Sequence, residues 1–165
     1  MDIAEPYATL SKKLTETLKR NLGEKLVSVA LFGSVARGEA GPDSDLDILV
    51  ICEDLPRSRL SRTELFLKSE KELDPLLEKF YEQGYGLTIS PVILTPEEAR
   101  RIPALFLDMT EDAVILFDRE NFLSELLEKL RAWLRDSGAE RVWLGRGWYW
   151  RLWKVGGVRR VKIVG

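Results

Sequence analysis

Asp45 and Asp47 are the residues around which chemistry can be built. They open an apolar run, Ile48 to Ile51, that reads as a short buried strand. Residues i and i+2 of a strand point to one face, so the two carboxylates project together, about 6.6 Å apart along the strand. At that separation two bare carboxylates repel by roughly 2.5 kcal/mol at an effective dielectric of about 20. Such a pair calls for a cation. A site of one or two carboxylates that keeps waters and borrows phosphate oxygens suits Mg2+.

Upstream, a second apolar run, Val27 to Phe32, ends in Gly33-Ser34. Gly33 lets the backbone approach a ligand closely. Ser34 offers a hydroxyl and an N–H at the start of a short helix expected over Val35 to Arg37, an arrangement that favours anions. Arg37 adds positive charge suited to a triphosphate. A metal, a phosphate cradle and two carboxylates on adjacent strands point to phosphoryl or nucleotidyl transfer.

On these residues the chain resembles the nucleotidyltransferase superfamily that includes DNA polymerase β. The pattern is Gly33-Ser34, ten residues, then Asp45-x-Asp47. Ala36-Arg37-Gly38, and Ser44 before Asp45, are similar to the small minimal nucleotidyltransferases of prokaryotes. The resemblance spans about residues 10–95. It implies an α/β (α+β) nucleotidyltransferase fold, a small mixed sheet flanked by helices. It implies that Asp45 and Asp47 are catalytic and hold Mg2+, and that Gly33, Ser34, Arg37 and Ser44 bind the nucleotide, most simply ATP. It implies a protein acceptor, a HEPN-type toxin of which this chain is the antitoxin. A third acid on the next core strand completes the site in catalytic members. Here the matching position is Ser90, and no acid occurs between Glu82 and Glu97. Loss of a general base is worth about 10²–10⁴ in rate. Glu39 is the nearby substitute, set against its reading as a solvated loop acid. The alternative function is a non-catalytic nucleotide-binding antitoxin that masks its partner by contact.

The elements that must position these residues are readable in outline. Leu10, Leu14, Leu18 and Leu22 recur every four residues in a helix over Tyr7 to Leu22, ended by Gly23. Ser61 to Glu82 is a long helical stretch, with Ser61 and Glu64 as a capping box. Pro75 kinks or splits it, with Asp74 as a cap for the second half. Leu87 to Leu94 is a third strand whose Pro91 predicts an edge or a bulge. Thr95-Pro96-Glu97-Glu98 starts a helix, and Ala104 to Met109 is a further turn. A short strand, Ala113 to Phe117, precedes an amphipathic helix over Asn121 to Ser137, stopped by Gly138.

The last segment differs in character. Residues 1–140 read as the nucleotidyltransferase domain and 141–165 as a basic, Trp-rich β extension. The extension holds seven Lys or Arg and no acid, while the other 140 residues hold 18 basic and 27 acidic side chains. A hairpin turns at Gly145-Arg146-Gly147 and one more strand follows over Val158 to Val164. Its tryptophans and cations fit three readings: packing on the domain, a protein interface, or stacking of single-stranded nucleic acid. Closing over the nucleotide or pairing two copies is a further use of a basic tail on an acidic body.

Composition narrows the function classes. The chain has no histidine, which removes a Ser/His/Asp triad and most zinc sites. One cysteine, Cys52, in an apolar run predicts no disulfide framework and a reducing cytoplasm. No apolar run approaches the ~20 residues needed to span a membrane. Few Asn and Gln among many charges hint at a thermophile.

Overall fold

The computed structural model describes residues 2–154 and 157–161. Helix α1 (Tyr7–Leu22) is followed by a single 3₁₀ turn and strand β1 (Leu26–Leu31). One helical turn, α2 (Gly33–Ala36), and a loop lead to β2 (Asp45–Cys52). Next come α3 (Arg59–Lys71), α4 (Asp74–Glu82), β3 (Thr88–Leu94), α5 (Pro96–Arg100), α6 (Leu105–Asp112), β4 (Val114–Asp118) and α7 (Phe122–Asp136). Strands β5 (Glu140–Leu144), β6 (Gly147–Lys154) and β7 (Gly157–Val161) close the chain.

The main sheet is mixed, in the order β3-β2-β1-β4. β1 pairs antiparallel with β2 and β4, and β2 pairs parallel with β3. Pro91 is accommodated because β3 is an edge strand, and its register with β2 runs unbroken from Thr88 to Leu94. Both faces of the sheet are covered. Leu46, Ile48 and Val50 of β2 pack with α1, Phe66 and Phe80, while Leu49 and Ile51 pack with Phe106, Leu123, Leu127 and Trp150. Strand alternation therefore assigns Asp45 and Asp47 to the second face, the one covered by α6, α7 and Trp150.

The caps correct two expectations. Ser58, not Ser61, caps α3, accepting from the Ser61 N–H at 3.4 Å. The helix starts three residues earlier because Arg62, bonded to the Pro56 carbonyl and to Glu98, ties its first turn to α5. Pro75 does split the stretch, but Asp74 is the first residue of α4 and makes no cap bond. A full capping box sits instead at Thr95 and Glu98.

The C-terminal hairpin, β5 and β6, is joined by β7 in a separate antiparallel sheet, order β5-β6-β7. The end of the expected last strand, residues 162–164, lies outside the described residues, as do the side chains of Trp153, Lys154, Arg159 and Arg160. Among the described residues no helix is long and apolar enough to cross a membrane.

Candidate active site

β2 begins at Asp45, which is exposed, and carries Asp47 half-buried two residues on. The run of β-branched and leucyl residues behind them supplies the buried strand, so the acids sit where the apolar cover ends. Burial raises the Asp47 carboxyl above the usual carboxylate range, and the charge of Asp45 adds to the rise. A hydrogen bond from Ser90 and the positive charge of Arg37 work the other way and do not cancel it. Asp47 is thus a carboxylate short of positive charge. The donor set around it is hard oxygen: two carboxylates and the Ser90 hydroxyl. This fits a divalent hard cation such as Mg2+.

Ser90 lies opposite Asp47 in the parallel register. Among the described residues no group of three or more acidic or cysteine side chains gathers in a metal-binding cluster. Glu39 is tied to Arg37, accepting from its Nε at 2.9 Å.

Gly33 opens α2 at φ 72°, and the preceding Phe32 N–H donates to the Asp47 carbonyl at 3.1 Å. A Cβ at position 33 would fall 2.2 Å from Asp47 Oδ2. Glycine is therefore needed for two reasons, a left-handed backbone and the packing of the loop against the carboxylate. Ser34 follows on the same turn, partly exposed. The helix begins two residues earlier than expected, at Gly33 rather than Val35, and ends one residue earlier, at Ala36.

The loop from Gly38 to Ser44 is held from outside. The Tyr7 hydroxyl donates to the Gly41 and Ser44 carbonyls, and Gly86 N–H donates to Pro42 at 3.1 Å. The Ser44 hydroxyl accepts from the Gly41 N–H at 2.8 Å, so this side chain shapes the turn that delivers Asp45.

Two acids on α6 belong to this neighbourhood and escaped the sequence reading. Asp108 accepts from Nε1 of both Trp148 and Trp150, at 2.7 and 2.8 Å on one oxygen. Asp112 accepts from both Nη atoms of Arg141, at 2.7 and 3.2 Å, and its Oδ2 lies 3.9 Å from Arg37. The signal was available: like charges four apart on one helix repel unless donors meet them from elsewhere. Cys52 takes no part, since burial pushes its thiol up to about 11.

A family model described as a nucleotidyltransferase domain matches residues 11–136. The chain belongs to the nucleotidyltransferase family. Two relatives from Methanocaldococcus jannaschii carry the names "Putative protein adenylyltransferase MJ1305" and "Putative protein adenylyltransferase MJ0141". The first is 36% identical over 115 residues, covering 68% of this chain and 73% of the relative. The second is 30% identical over 112 residues, covering 68% of this chain and 95% of the relative. Among solved structures, a toxin–antitoxin complex with AMP-PNP is 19% identical at a TM-score of 0.46, covering 78% of this nucleotidyltransferase and 92% of that chain. A tri-AMPylated Shewanella oneidensis HEPN toxin in complex with MNT antitoxin is 19% identical at a TM-score of 0.42, covering 79% and 92%.

Proposed function

We propose that this nucleotidyltransferase moves AMP from ATP, with Mg2+, onto a hydroxyl of a partner protein, and that it is the antitoxin of a HEPN-type toxin. The observation that carries the transfer is the bare carboxylate pair, Asp45 and Asp47, at the open end of one sheet face with Gly33 packed against it. The names of the two relatives support adenylylation of protein. The resemblance to minimal nucleotidyltransferases supports the toxin as acceptor.

Asp45 and Asp47 would hold the ion, which would supply neutralisation of phosphate charge. Ser34 and Arg37 bind the polyphosphate, and Gly33 leaves the approach clear. The acceptor hydroxyl oxygen bonds to the α-phosphorus of ATP. The bond from that phosphorus to the α,β-bridging oxygen breaks, and pyrophosphate leaves with the electron pair. The hydroxyl proton passes to water, because Ser90 in the third position is no base near neutral pH.

The test is intact-mass analysis of a HEPN-type protein encoded beside this chain, after incubation with the nucleotidyltransferase, ATP and Mg2+. The expected result is a gain of one or more adenylyl units, lost in Asp45→Asn and Asp47→Asn. The second reading, a non-catalytic nucleotide-binding antitoxin, is favoured by Ser90 standing opposite Asp47. Tight partner binding with no mass gain would establish it and reject transfer.

A further inference from the structure

Arg37 is one residue beyond a single helical turn, and a long side chain there has many rotamers. Three neighbours restrict it. Its guanidinium carbon lies 4.7 Å from the centre of the Trp148 ring, within cation–π range. Asp112 Oδ2 is 3.9 Å from Nη1, and Glu39 accepts from Nε at 2.9 Å. Arg141 shares both main partners: it is bidentate on Asp112 and lies 5.1 Å from the centre of the same ring.

The ring is itself pinned. Trp148 is largely buried and its Nε1 donates to Asp108, so it cannot turn without breaking that bond. The Arg37, Arg141 and Asp112 side chains are 18, 15 and 10% exposed, whereas Glu39 is 56% exposed. The two guanidiniums share the buried Asp112 carboxylate, and exposed Glu39 is the second carboxylate on Arg37.

We propose that Trp148 and Asp112 are positioning residues that hold the Arg37 guanidinium for the nucleotide's polyphosphate, and that Glu39 is an exchangeable stand-in which the polyphosphate displaces. The C-terminal sheet is then part of the nucleotide site. This rests on the reading that Gly33, Ser34 and Arg37 bind a triphosphate.

The experiment is calorimetric titration of the full chain with Mg2+ and a non-hydrolysable ATP analogue. Arg37→Ala and Trp148→Leu are each expected to weaken binding on the order of tenfold, as loss of a charge-assisted phosphate contact does. Trp148→Leu is expected to add nothing in the Arg37→Ala background, because the ring acts through Arg37. Trp148→Phe keeps an aromatic face and is expected to restore binding to within a few-fold of the parent. Glu39→Gln, an exposed change that leaves folding intact, is expected to tighten binding several-fold by removing the competitor. Equal weakening by Trp148→Leu in both backgrounds would overturn the proposal, as would unchanged or weaker binding in Glu39→Gln. A parent chain that binds no analogue rejects the nucleotide reading itself and this inference with it, a result distinct from either of those.

Discussion

At Asp47 folding works against charge. Its carboxyl is held above the usual range, so the folded state binds a proton more readily than the unfolded chain. The sign follows: the protonated form stabilises the fold at low pH, and that contribution is lost as pH rises through the raised value. Asp47→Asn should therefore raise the melting temperature at pH 7, with the gain fading below about pH 4, as read by thermal unfolding across pH. An unchanged melting temperature at pH 7 would show the pair to be already compensated. Position 90 offers the opposite change. Ser90→Asp restores a third acid opposite Asp47, and single-turnover AMP transfer should speed up by about 10²-fold or more if proton removal limits the rate. That Gly33 and Ser34 lie at a helix start and that Asp45 and Asp47 share one strand face was legible in the sequence, because motif spacing and strand parity are local. The reason for Gly33 was not, since the 2.2 Å approach to Asp47 joins two strands that only the folded sheet brings together.

At the level of elements, the leucine spacing of α1 and α7 read directly from the chain, and Pro91 narrowed β3 to an edge or a bulge, of which the fold takes the edge, because periodicity and proline chemistry act within one segment. The start of α3 did not. Ser61 with Glu64 satisfies the capping pattern, yet Ser58 caps, because Arg62 is anchored by α5, more than thirty residues away. The α6 acids failed for the same reason: their donors arrive from the C-terminal sheet. Of the tryptophans, 148 and 150 pack on the domain, while Trp143 is half exposed at the hairpin end, its ring centre 5.0 Å from that of Trp148. Asp108→Ala strands two largely buried indole N–H groups at once. It should cost about 2–5 kcal/mol in chemical denaturation, and protease cleavage in the β5–β6 region should become faster. A loss under about 1 kcal/mol would mean that the sheet docks without these bonds.

For the molecule as a whole, a cation held by the carboxylate pair would make stability depend on that ligand. A cation that binds only the folded state adds about 2.7 kcal/mol at one hundred times its dissociation constant. Titration with Mg2+ should raise the melting temperature of the parent and leave Asp45→Asn, Asp47→Asn unmoved; equal responses would place the ion elsewhere. The doubly engaged Asp108 has a consequence for how such a chain can change over generations. One oxygen receives indoles from positions i and i+2 of a single strand, and a strand alternates its faces with every residue. Deleting one residue ahead of Trp148 would offer Tyr149 and Arg151 in their place, and inserting one would offer Gly147 and Tyr149, whereas a pair of residues preserves the parity. Length variation in the β5–β6 turn of descendants should come in even steps, with odd steps purged.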